Sequence, residues 1–200
     1  MVTAIWFALA RRSKTTPTNA SAQHLMLFRF EINFADVDRG VYEDHDLRVA
    51  QHPSEDAPRL LTRVLAFVLE HKEGLAFGKG LSDGEEASLW VKTPDGRVTD
   101  WIDVGAPAPD RLHRASKMAE RVAVYAHRRP ELLQQRCQKE RIHKADQIRL
   151  VTVPPELLAF LGERLDRNNR WDISVTEGNT TVVSGDDVCE CAFTTQQLVP

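Results

Sequence analysis

Residues 25–35 read LMLFRFEINFA, with Phe28, Phe30, Ile32 and Phe34 at every second position. A period of two puts all four side chains on one face of a strand, because successive strand residues point to opposite sides of a sheet. A face this apolar has to be covered by a second layer of structure. DVDRG (36–40) is a turn cluster and VYEDHDLRVA (41–50) a returning strand, so the chain opens with a hairpin. HPSED (52–56) ends that hairpin. Ser54 or Asp56 is placed to cap a helix in which Pro58 takes an early position, where a missing N–H costs nothing. Leu60, Leu61, Val64, Leu65, Phe67, Val68 and Leu69 cover more than one stripe of this helix, which runs to about His71. Such a helix is buried, lying against a sheet.

Three short strands are predicted next, at 75–79, 88–93 and 98–105. Pro94-Asp95-Gly96 joins the last two in a type I turn with a glycine bulge. Pairing Thr93 with Arg97 then sets Leu89 opposite Trp101 and Ala87 opposite Asp103, so acidic residues collect where the hairpin opens. Asp110 is the expected cap of a helix over 111–119, where Arg111, Arg114 and Lys117 share a face. RVAVYA (121–126) follows a helical crossover and is expected to join the sheet in parallel. A charged, exposed helix over 130–144, a strand over 147–153, a helix over 155–165 and a meander over 171–193 complete an α/β layered domain.

With 200 residues, 42% apolar and 28% charged, this is one globular domain with an extension, not a multidomain machine. Residues 1–23 are read as a poorly ordered extension and 24–200 as the single domain. MVTAIWFALA precedes its arginines, the reverse of a secretory signal, and is too short for a membrane helix. Cys137, Cys189 and Cys191 form no disulfide framework, so the expected compartment is the cytoplasm, without a membrane role. Cys189 and Cys191 share a strand face as small hydrophobes.

The net charge of −3 conceals a division. Residues 31–110 hold 17 acidic against 8 basic side chains, whereas 111–149 hold 11 basic against 4 acidic. Carboxylates beside a cationic surface suit metal-assisted work on a phosphodiester, although charge runs are more often simply solvated.

The order helix, three strands, helix, strand resembles the core of the restriction-endonuclease-like PD-(D/E)XK superfamily, a mixed sheet flanked by helices that some schemes class as α+β. More narrowly, HPSE (52–55), LAFGKGLSDGEEASLWVK (75–92), DWIDVGAP (100–107), RLHRASK (111–117) and RVAVY (121–125) resemble the bacterial YaeQ family. The resemblance implies a Mg²⁺ site. Asp103 matches the acidic residue of the third motif, Glu86 (with Glu85 as the alternative) that of the second, and Glu55 the acid at the first helix. Gly105 stands where the third-motif lysine belongs, and Lys117 is the candidate replacement. Arg111, Arg114, Arg128 and Arg129 are candidates for phosphate contact. His52 reads equally as a cap residue or a catalytic one, and Trp90 and Trp101 as core aromatics. Two functions follow: a metal-dependent nuclease, or a catalytically inactive nuclease-fold module that binds nucleic acid or a protein partner.

Overall fold

The computed structural model describes residues 26–78 and 86–199; the extension expected over 1–23, together with Lys79 and Glu85, lies outside the described residues. The period-two run forms β1 (Met26–Asp36), and its four alternating apolar side chains are all buried. Each contributes roughly 1.5–3 kcal/mol of transfer free energy. It pairs antiparallel with β2 (Val41–Gln51), from Met26↔Gln51 to Asp36↔Val41. Asp56 rather than Ser54 caps α1 (Ala57–Leu69), its carboxylate accepting the Arg59 N–H at 3.0 Å. Eight of the thirteen residues of α1 are buried, among them Arg63.

After α1 come β3 (Leu75–Phe77), β4 (Leu89–Lys92), β5 (Val98–Val104), α2 (Pro109–Met118) and β6 (Ala119–Ala126), the expected order. The chain continues through α3 (Pro130–Gln138), a 3₁₀ turn (Ala145–Gln147), β7 (Arg149–Thr152), α4 (Pro155–Glu163), β8 (Asn168–Thr176), β9 (Asn179–Ser184), β10 (Asp187–Ala192) and β11 (Thr194–Gln197). These build two mixed sheets rather than one, ordered β10-β9-β8-β1-β2 and β11-β7-β6-β5-β4-β3. The C-terminal meander docks on the opening hairpin because β8 pairs in parallel with β1. In the second sheet β5, β6 and β7 are parallel, joined by crossovers through α2 and α3.

The layers define two cores. Phe30 and Trp171 of the first sheet meet Leu60 of α1, Leu157 of α4 and Ile102 and Val104 of β5 in one of them. The other lies on the opposite face of the second sheet, where Trp101, Val124 and Leu150 meet Leu112 of α2 and Leu133 of α3. Alternate residues of β5 therefore face different helices.

Several local expectations are corrected. The β4–β5 hairpin carries an irregularity between Val91 and Lys92, so Leu89 pairs with Ile102 and Trp90 with Trp101. Near the turn the expected pairing holds, with the Thr93 N–H on the Arg97 carbonyl at 2.9 Å. One extra residue beyond it moves every later partner by one. The α2 helix begins from Ala108 with no side-chain cap, leaving Asp110 in the first turn. Helix α3 ends at Gln138, not near Lys144, and Lys144 takes a left-handed conformation at φ 48°. Among the described residues, no helix is long and apolar enough to cross a membrane.

Candidate functional site

Because β5 alternates, Asp103 shares the face of Trp101 and points toward α2 with 2% of its surface exposed. Its Oδ2 accepts Arg111 Nε–H at 2.7 Å and Trp101 Nε1–H at 3.0 Å. Its Oδ1 accepts Arg111 Nη2–H at 2.7 Å and the Ser88 N–H at 3.3 Å. The register shift matters here: it brings Ser88, not Ala87, beside Asp103. Ser88 Oγ in turn accepts the Val104 N–H at 3.2 Å. One guanidinium thus clamps both oxygens in the side-by-side geometry that arginine forms and lysine cannot. Arg111 also donates to the Glu86 carbonyl at 2.5 Å and lies over the Trp101 ring.

Glu55 sits on the other side of the sheet, just ahead of α1. Both of its oxygens are also engaged: Arg63 Nε–H reaches Oε1 at 3.0 Å and Nη2–H reaches Oε2 at 2.7 Å, with the His52 N–H on Oε2 at 3.4 Å. Arg59 and Arg63, four apart, share one face of α1, and Glu55 precedes Arg59 by four residues in the turn ahead of the helix. Arg59 Nε lies 4.0 Å from Glu55, while its Nη1–H donates to the Val104 carbonyl at 2.5 Å. Burial pulls the Arg59 pKa down from its ordinary value, and the charges of Glu55 and Asp103 oppose that fall.

Gly105 explains itself in this setting. Its φ is +94°, and a Cβ built there would lie 2.6 Å from Arg59 Nη1 and 3.4 Å from His127 Cε1. The lysine that the resemblance leads one to expect would have to adopt this left-handed φ and displace the Arg59 guanidinium. His127 is half-buried; burial lowers its pKa, and its Nδ1 is buried without a hydrogen-bond partner. Sequence reasoning missed both Arg59 and His127. The spacing of Glu55, Arg59 and Arg63 was the available signal for Arg59, while nothing local marks His127.

The expected metal set is not assembled. Mg²⁺ takes near-octahedral oxygen ligands at about 2.0–2.1 Å. Glu55 and Asp103 lie on opposite faces of the sheet, and all four of their oxygens accept hydrogen bonds from the protein. Among the described residues, no group of three or more His, Cys, Asp or Glu side chains is placed to hold an ion. Glu86 is half-buried beside Arg111 and adds no such third ligand. The donor set as arranged does not fit Mg²⁺. Lys117 does not replace the missing lysine either. It stands exposed in the last turn of α2, about 9 Å along the helix axis from Arg111, and does not pair with Asp103.

Of the arginines expected at phosphate, Arg111 is instead the partner of Asp103. Arg114 is exposed on α2, and Arg129 is exposed at the start of α3 with φ 44°. Arg128 is exposed and pairs with Asp56 at 3.0 Å. His52 belongs to the turn before α1, its Nδ1 accepting the Ser54 N–H at 3.1 Å. Trp101 is a buried core aromatic, and Trp90 is half-buried at its edge.

The profile of a family described as YaeQ protein matches residues 22–193. The chain belongs to the YaeQ family. Curated YaeQ relatives agree: the protein from Salmonella typhi is 34% identical over 101 residues and that from Escherichia coli (strain K12) 32%, both described as uncharacterized. Each match spans 50% of this chain and 56% of the relative, so the chain aligns with little more than half the length of the curated relatives. The crystal structure of YaeQ from Pseudomonas syringae superimposes with a TM-score of 0.79 at 34% identity, covering 87% of this chain and 97% of that one. YaeQ from Xanthomonas axonopodis pv. citri gives 0.78 at 28%, covering 88% and 99%. The YaeQ likeness thus extends over both sheets.

Proposed function

We propose that this YaeQ-family chain is a cytoplasmic, nuclease-fold module that binds the phosphodiester backbone of nucleic acid without metal-dependent cleavage. The observation that carries this reading is the clamp on Asp103. A carboxylate whose two oxygens accept from Arg111, Trp101 and Ser88 has no lone pair directed at an ion. The binding surface is the outer layer over the second core. Arg114 and Lys117 on α2, Arg129 and Arg136 at α3, and Arg141 and Lys144 beyond it are all exposed. The loop after α3 is fastened to α2 through His113 Nδ1, which contacts the Arg141 carbonyl at 3.0 Å and the His143 N–H at 3.2 Å. Cations spread over one layer favour phosphate contacts, which position a backbone without reading its sequence.

The test combines a salt titration with a cleavage assay, using fluorescently labelled single- and double-stranded DNA and RNA with Mg²⁺, Mn²⁺ or EDTA. Binding is expected to weaken steeply with salt, to survive EDTA and to leave the substrate intact. Arg114→Ala and Arg129→Ala each weaken it several-fold and flatten the salt dependence. Mg²⁺-dependent cleavage that disappears in Asp103→Asn overturns the reading in favour of a nuclease. A chain that binds no nucleic acid but retains a protein partner overturns it in favour of a protein-binding role.

A further inference from the structure

A second polar site lies toward the start of the parallel strands, away from the Asp103 end, at the open flank of β6, where residues from both faces of the strand line one opening. β6 pairs with β5 from Val98↔Ala119 onward, but with β7 only from Ala123↔Arg149. Residues 119–122 thus have a strand neighbour on one side alone. The gap opens into a cavity of about 550 Å³, lined by Arg39 from the β1–β2 turn, Arg121 and Arg149, with Glu70, Asp100 and Glu120. This size falls among small-molecule sites, which run to about 300–1,000 Å³.

Each arginine is fixed along one edge. Arg39 Nε lies 2.5 Å from Asp36 Oδ2, Arg121 Nε donates to Asp100 Oδ1 at 2.7 Å, and Arg149 pairs with Glu70. The acids are themselves held: Lys72 reaches Asp100 Oδ2 at 2.6 Å, and the buried Tyr125 hydroxyl donates to Glu70 Oε1 at 2.6 Å. The guanidinium groups are therefore set in place before any ligand arrives, which lowers the ordering cost of binding. Among the described residues, no protein acceptor takes the terminal nitrogens of Arg39, Nη1 of Arg121 or Nε of Arg149. On the acidic side, Glu120 is exposed and has no ion-pair partner among the described residues.

The sign of the lining selects the ligand. Three guanidinium groups face three carboxylates, so a polyanion meets as much repulsion as attraction, and so does a polyamine. A ligand that carries both signs satisfies both sets of groups. We propose that this cavity binds a short-peptide zwitterion, its carboxylate on Arg39, Arg121 and Arg149 and its ammonium on Glu120. Arginine suits the first contact because its fork matches a carboxylate bidentately.

Calorimetric titration of the full chain with trialanine tests the proposal, alongside its C-terminal amide, its N-acetyl form and inorganic pyrophosphate. Saturable binding of trialanine is expected, at least tenfold weaker for either capped form. Arg39→Gln weakens trialanine about fivefold or more but leaves the amide unchanged, and Glu120→Gln does the same with respect to the N-acetyl form. Both positions sit at the surface, and thermal melts establish that the variants fold. The capped ligands on the unaltered chain give the answer independently. Absence of trialanine binding, equal binding of the capped forms, or tighter binding of pyrophosphate that ignores Glu120→Gln overturns the proposal.

Discussion

Arg111 and Asp103 meet side by side, Nε to Oδ2 and Nη2 to Oδ1 at 2.7 Å each, with the Asp103 side chain 3% exposed and that of Arg111 20%. Removing one member leaves a buried charge without its partner. Arg111→Met is expected to destabilise the fold by about 3–5 kcal/mol, because loss of one half of a buried pair strands the other. The double variant Asp103→Leu/Arg111→Met recovers most of that loss, since the desolvation cost disappears with the charges. Urea denaturation of the four proteins measures the cycle; an Arg111→Met variant as stable as the parent would show that the pair is not what holds β5 to α2.

Gly105 gives a second prediction from geometry alone. Alanine there adopts a left-handed φ of +94° and sets its Cβ 2.6 Å from Arg59 Nη1. Gly105→Ala is expected to cost about 1–3 kcal/mol. Gly105→Lys, which writes in the residue that nucleases of the resembled superfamily carry, is expected to be at least as destabilising and to create no Mg²⁺-dependent cleavage. Thermal melts and a plasmid-nicking assay check both parts, and nicking by Gly105→Lys would show that Arg59 can yield its place.

These sites mark where the sequence was readable and where it was not. The period-two run Phe28, Phe30, Ile32, Phe34 and the apolar stripes of α1 announce buried elements because burial dictates their spacing. The parallel return of β6 was legible from the helical crossover that precedes it, whereas Asp103 and Glu55 stood out only through the resemblance. The convergence of side chains was not legible. The register shift between Val91 and Lys92, where Thr99 is the extra residue of β5, replaces Ala87 by Ser88 beside Asp103, and no local signal encodes it. Strand alternation likewise turns Asp103 toward α2 while Glu55 sits in the turn ahead of α1 and pairs with Arg63, which a linear motif does not record. Arg111 was legible as a cation, yet its partner, eight residues away across a strand-to-helix turn, was not.

The cysteines of β10 lead to a chemical prediction. Cys189 and Cys191 lie on one strand face packed against the first core, and burial together with the neighbouring thiol pushes Cys191 up to about 12. Burial raises Cys189 and Cys137 as well. The thiolate is the nucleophile, so all three are expected to react slowly in the folded chain. Iodoacetamide at pH 8 should leave Cys191 unmodified under native conditions and alkylate all three cysteines in urea, as read by mass spectrometry. Rapid native labelling of Cys191 would contradict its placement.

His45 sets an acid limit on the fold. Its ring packs against Phe34, the edge of Phe67 and, at 4.9 Å between centroids, His71. His45 Nε2 and His71 Nδ1 are both buried without a hydrogen-bond partner. Burial lowers the His45 pKa, the neighbouring His71 lowers it further, and Glu43 and Asp44 oppose the shift. The unfolded chain therefore takes up this proton more readily than the native one, and stability falls as the solution is acidified. The contribution is fully present above the unfolded value of about 6.5 and is lost as pH drops through the lower folded value. His127, lowered by burial, adds in the same direction. Melting temperatures should stay level from pH 8 to about 6.5 and decline below it, and His45→Phe should remove part of the decline while keeping an aromatic ring in the Phe34–Phe67 pocket. An unchanged slope in His45→Phe would assign the acid sensitivity to His127 and the carboxylates instead.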